Sequence, residues 1–249
     1  MNIPIFIAHR GESFDAPENT LESINLAWER NDDAVEVDIR MTGDNKIAVF
    51  HDSNTLRMSG TYFKVASQSL NSLKKLDVGI YKDKKYAGAR IPSLSEVLDI
   101  IPENKIIFIE IKGKYNIIEQ LKLNIQKSKL KPDQVKIMGF NFTTLKKARI
   151  VFNNYETFWL RKFGVESTPF FNLNNNKIIE AALKNKFNGI NIRYSKYLNK
   201  YLVKKIHENG LKIFVWTVNS IEASENLIKL GVDGITSDKP FWLKKQLSL

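Results

Sequence analysis

Eight short runs rich in β-branched and aromatic residues recur along this chain, separated by stretches whose apolar residues return with helical spacing. The strand candidates are Pro4–Ala8, Ala34–Ile39, Ile106–Ile111, Val135–Gly139, Thr157–Arg161, Gly189–Ile192, Lys212–Val218 and Val232–Thr236. The helix candidates are Thr20–Arg30, Ser93–Ile101, Asn116–Ser128, Thr143–Phe152, Lys177–Lys184, Asn199–Glu208, Ser220–Lys229 and Phe241–Gln246. Such alternation predicts a parallel sheet, because neighbouring parallel strands need a crossover and helices supply it. The runs IIFIEI and KIFVWTV are apolar without alternation, as strands covered on both faces are. Eight strands in 249 residues fit one α/β domain over residues 1–249, a closed TIM (β/α)₈ barrel. A doubly wound open sheet is the second architecture that the pattern allows.

The pattern is interrupted once, after the second barrel strand. KIAVFHD reads as a further strand, and the stretch Ala48–Ile91 is too long for an ordinary βα loop. It is expected to be an insertion on one face, spanning about residues 52–90. At the start of the first helix, Asn19-Thr20 and Glu22 read as an N-cap and capping box.

Composition narrows the chemistry. There are no cysteines, so disulfides, thiolate metal sites and cysteine nucleophiles are excluded. No apolar run has the length of a membrane span, and no leader peptide is visible, so a cytoplasmic protein without stable membrane insertion is expected. The net charge of +11 is uneven: residues 1–60 carry 5 Lys/Arg against 11 Asp/Glu, and the excess of lysine follows. Those lysines are spread through helical segments, which points to a solvated surface rather than to nucleic acid.

In a (β/α)₈ barrel, chemistry sits at the C-terminal ends of the strands. The first strand ends in His9-Arg10, the excursion strand in His51-Asp52, the seventh near Trp216 and Asn219, and the eighth in Ser237-Asp238. Side chains alternate along a strand, so Glu36 and Asp38 share a face, as do Glu110 and Lys112, while Val37, Ile39, Ile109 and Ile111 turn to the helices. Three carboxylates gathered at one rim are costly unless paired or bound to a cation, and oxygen ligands suit a hard divalent ion. Each feature has a plainer reading alone: a buried structural histidine at His9, an Asx turn at His51-Asp52, an ion pair at Glu110/Lys112, a core tryptophan at Trp216. Their coincidence at strand ends favours a phosphodiesterase site. His207 lies in a basic amphipathic helix and reads as surface.

The segments HRG (9–11) with PENT (17–20), EVDIRMTGDNKIAVFHD (36–52), IPSLSEVL (91–98), FIEIK (108–112), WTVN (216–219) and GVDGITSDKP (231–240) together resemble the glycerophosphodiester phosphodiesterase family, in the family's order. The resemblance implies a TIM barrel that hydrolyses small glycerophosphodiesters, such as glycerophosphocholine or glycerophosphoethanolamine, to sn-glycerol 3-phosphate and an alcohol. It implies His9 and His51 as the acid/base pair, and Glu36, Asp38 and Glu110 as ligands of one divalent cation, Mg²⁺ or Ca²⁺. Arg10 and Lys112 become phosphate contacts, and Trp216 lines the substrate pocket. MGFNF departs from the family pattern by placing Gly139 where a serine is common. The stretch Trp159–Lys177 is the least familiar, and its Phe163, Phe170 and Phe171 read as an apolar shelf or as packing under the loop. A lysophospholipase D using the same residues and a non-catalytic binding barrel are the rival readings.

Overall fold

The computed structural model describes residues 3–162 and 171–249. Its first strand, β1 (Ile5–His9), pairs in parallel with both β2 (Ala34–Met41) and β9 (Gly234–Ser237). That double pairing closes the sheet. The circuit continues from β2 through β4 (Ile106–Ile111), β5 (Val135–Gly139), β6 (Glu156–Arg161), β7 (Gly189–Arg193) and β8 (Lys212–Trp216) to β9, all parallel. The predicted single-domain TIM barrel is the observed fold.

The helices are α1 (Leu21–Glu29), α2 (Leu56–Ser59), α3 (Leu70–Leu73), α4 (Leu94–Asp99), α5 (Ile118–Lys127), α6 (Phe142–Val151), α7 (Phe171–Lys184), α8 (Lys200–Glu208), α9 (Ile221–Leu230) and α10 (Pro240–Gln246). Apart from α2 and α3, they wrap the barrel. Among the described residues no helix is long and apolar enough to cross a membrane.

The pleat divides the strand residues between two cores. Ile7, Ala34, Phe108, Met138, Phe158, Leu160 and Phe214 fill the barrel interior. Phe108, Phe158 and Phe214 meet there edge to face at 4.8–5.2 Å, arrangements worth about 0.5–1.5 kcal/mol each beyond burial. Phe6, Ala8, Val37, Ile39, Ile109 and Ile111 face the helix layer instead. This apolar layer separates two polar ends of the interior: Lys136 and Lys212 pair with Glu156 at 2.6 Å at the lower one, and the predicted site residues gather at the upper rim.

The interruption after β2 begins with β3 (Ile47–Val49), which runs antiparallel to β2. The segment that follows, holding α2 and α3, is not loose. Phe50, Met58, Val65, Leu70, Leu73, Val78 and Ile91 close a small apolar cluster of their own, which fixes the residues beside the barrel mouth.

Candidate active site

Ile5, Ile7 and His9 point inward along β1, so the strand delivers His9 to the rim. The chain then turns sharply. Arg10 and Gly11 both have positive φ, at 58° and 79°. A Cβ on Gly11 would lie 2.5 Å from Ser23 Oγ, so only glycine lets the loop press against α1. Around this turn opens a cavity of about 110 Å³, lined by His9, Arg10, Glu36, His51, Glu110, Lys112 and Trp216, with Phe140 opposite. Asp38, the remaining predicted site residue, is held by two of these: Arg10 Nε at 3.1 Å and Lys112 Nζ at 3.1 Å. All eight predicted residues thus converge on one place.

Glu36, Asp38 and Glu110 are 2%, 1% and 7% exposed, and each offers an oxygen within 4.8 Å of the others. Burial pushes Glu36 well above the ordinary carboxylate range, and the neighbouring Asp38 and Glu110 charges push it further. Glu110 rises for the same reasons, to about 7, although Lys112 Nζ lies 2.6 Å away. Burial also acts upward on Asp38, but Lys112, Arg10 and His51 outweigh it, and Asn19 donates a 2.9 Å hydrogen bond, so its pKa falls well below normal. Glu36 Oε2 accepts the Arg10 amide at 3.1 Å, while Oε1 is buried with no partner among the described residues. An unsatisfied buried oxygen beside two further carboxylates fits a hard divalent cation, so this cluster could hold one.

Each histidine is tethered by a carboxylate. His9 Nδ1 lies 2.6 Å from Asp238 Oδ1, and His51 Nδ1 lies 2.7 Å from Asp52 Oδ1. Both contacts occupy Nδ1, leaving Nε2 as the atom available to exchange a proton. Burial opposes ionisation of Asp238, but His9, Asn219 and Ser13 together outweigh it and hold it at about 2. His51 is lowered, chiefly by burial, with Arg10 and Lys112 adding to the effect, so it is neutral near pH 7. Behind the rim, Arg57 joins Asp52 at 2.6 Å to Glu18 at 2.7 Å, and Glu18 binds Arg10 at 2.7 Å.

Several of these partners are not assigned by sequence reasoning. Asp52 had no role beyond the plainer reading of an Asx turn, and its carboxylate takes His51. The expected helix cap also needs correction. Thr20 is the N-cap of α1, and its capping-box partner is Ser23 rather than Glu22. Asn19, with φ of 57°, instead clamps Asp38 by donating to its carboxylate and accepting its amide at 3.0 Å. Glu18, quoted only as part of PENT, and Arg57 were given no role, since their pairing joins the first loop to the insertion. Arg10 was expected to contact phosphate and is paired here with Asp38 and Glu18. His207 stands outside the site, on α8 against Asp233 at 2.9 Å. Phe163, Phe170 and the Phe171 side chain lie outside the described residues.

A family model described as the glycerophosphoryl diester phosphodiesterase family matches residues 9–241. The glycerophosphodiester phosphodiesterase of Caldanaerobacter subterraneus subsp. tengcongensis is 32% identical over 95% of this chain and 94% of its own. Lysophospholipase D GDPD1 of Rattus norvegicus is 26% identical, over 97% of this chain and 85% of its own. Among solved structures, the phosphodiesterase of Oleispira antarctica in complex with the product sn-glycerol-3-phosphate superposes with a TM-score of 0.87, at 24% identity, covering 99% of this chain and 98% of the other.

Proposed function

This chain belongs to the glycerophosphoryl diester phosphodiesterase family, and we propose that it hydrolyses glycerophosphodiesters to sn-glycerol 3-phosphate and an alcohol by metal-dependent catalysis with two histidines. The observation that carries the reading is the cavity in which two carboxylate-tethered histidines stand beside a buried three-carboxylate cluster. Glu36, Asp38 and Glu110 would hold one Mg²⁺ or Ca²⁺ ion. When bound, that ion supplies positive charge to the phosphoryl oxygens.

The chain's own groups do the rest. Lys112 and Arg10 add cationic character where the phosphate enters. The glycerol 2-hydroxyl attacks phosphorus, the bond to the head-group oxygen breaks, and water then opens the cyclic phosphate. Holding the nucleophile within the substrate itself provides a high effective molarity. His51, neutral near pH 7, is equipped to take the hydroxyl proton, and His9 to return one to the departing oxygen. The roles reverse when water attacks. Trp216, edge to face with Phe140 at 5.5 Å, offers the glycerol carbons an apolar wall.

A lysophospholipase D activity is the second reading, supported by the rat relative. Incubation with glycerophosphocholine and with lysophosphatidylcholine in parallel separates the two. The main reading expects glycerol 3-phosphate and choline from the first substrate. Lysophosphatidic acid from the second, with no turnover of the first, overturns it.

A further inference from the structure

Beside the catalytic cavity lies a second groove, of about 240 Å³, between the insertion and the loop after β4. Its charged lining residues are Arg40, Lys64, Lys112 and Lys114, and no carboxylate lines it among the described residues. That differs from the catalytic cavity, where both signs mix. The two spaces share Lys112. Arg40 fixes the boundary between them. Its Nε donates to the His51 carbonyl at 2.8 Å and its Nη1 to the Lys112 carbonyl at 3.4 Å, so the guanidinium is held in place rather than swinging in solvent. Lys112 Nζ is committed to Glu110 at 2.6 Å and Asp38 at 3.1 Å, so Arg40, Lys64 and Lys114 are the cations left to repel each other around the groove, and an anion seated among them relieves that repulsion.

Because the two spaces share Lys112, a diester whose phosphate sat beside it would have this groove within reach of one of its alcohols. The glycerol arm is uncharged, so a basic groove would act on the head group. We propose that the groove is a secondary anion subsite, and that the enzyme prefers glycerophosphodiesters whose leaving group carries a further phosphate over those with a quaternary ammonium. This rests on the phosphodiesterase reading above and adds the substrate class to it. Lys64 and Lys114 come from two separate segments and lie away from the histidines and the acidic cluster, so they test the groove without touching the catalytic groups.

The test compares kcat/KM for glycerophosphocholine and for bis(glycerophospho)glycerol, in the wild type and in the double variant Lys64→Gln/Lys114→Gln. The wild type is expected to favour the bis-phosphodiester, and the double variant to lose about 5- to 30-fold on that substrate, the upper range for two exposed charge contacts. Its activity on glycerophosphocholine stays within about 2-fold, and raised salt erases the difference between the enzymes. Equal turnover of both diesters by the wild type, or equal losses on both in the variant, overturns the subsite alone. Turnover of neither diester overturns the phosphodiesterase reading and the subsite with it.

Discussion

His9 Nδ1 lies 2.6 Å from Asp238 Oδ1, a contact between the ends of the first and last barrel strands. Asp238 also accepts from Asn219 at 2.6 Å and Ser13 at 3.3 Å, so its carboxylate is aimed before substrate arrives. The contact fixes the imidazole's orientation. Asp238→Asn is therefore expected to lower kcat by about 10-fold or more, with a smaller change in KM, while His9→Ala costs at least about 10²-fold. Steady-state kinetics on a glycerophosphodiester checks both. An Asp238→Asn enzyme with wild-type kcat would separate His9 from proton transfer.

The second histidine makes the matching demand. His51→Ala should cost at least about 10²-fold in turnover, the lower end for an acid–base group. Because burial keeps His51 neutral, its proton-accepting form persists as pH falls below 6.5, the ordinary histidine value, and activity should decline only under more acidic conditions. A pH–rate profile whose acidic limb lies above that value would contradict this.

Glu110 and Glu36 are ion-binding groups in this account, and their roles are separable from turnover. Calorimetric titration with Mg²⁺ or Ca²⁺ should show at least about 10-fold weaker binding for Glu36→Gln and Glu110→Gln than for the wild type, since each change removes an anionic oxygen ligand. Unchanged ion affinity in both variants would remove the cluster from metal binding.

Gly11 tests the turn that positions His9. Gly11→Ala puts a Cβ within 2.5 Å of Ser23 Oγ at a φ of 79°. The left-handed conformation and the overpacking together should cost at least about 2 kcal/mol in urea denaturation. A loss under about 0.5 kcal/mol would mean that the loop moves aside without penalty.

Away from the site, Glu12 and Asp32 are both fully buried, with Arg30 on the first at 3.0 Å and Lys244 on the second at 3.2 Å. Burial, and then the charge of Glu12, pushes Asp32 up to about 8. The folded protein therefore keeps a proton that the unfolded chain releases near pH 4. That contribution is complete below the unfolded pKa and is lost as pH rises through about 8. Melting temperature should fall from pH 6 to pH 9, and Asp32→Asn should flatten the fall. An equal slope in the variant would contradict the shift.

The barrel was legible because its strands are buried on both faces and its helices amphipathic, so period and length alone separated them. IIFIEI shows this best: residues 106–111 are the predicted strand and the observed one. Pleat alternation then brought Glu36, Asp38, Glu110 and Lys112 to one rim before any contact was known. What stayed hidden was pairing across sequence distance. Asp238 is one more acidic residue in GVDGITSDKP until barrel closure sets it beside His9. Arg57 and Glu18 meet only because the insertion folds back over the first loop. Asn19 misled for a local reason: an asparagine next to a helix start imitates a cap, and only its left-handed backbone turns its amide to Asp38.

Glycerol 3-phosphate release from glycerophosphocholine, followed before chelation, after thorough chelation and after restoring Mg²⁺ or Ca²⁺, tests the metal-dependent two-histidine reading most directly. The account predicts release that is lost on chelation and recovered with one of the two ions. Release that persists undiminished after chelation, or no release under any metal condition, would contradict it.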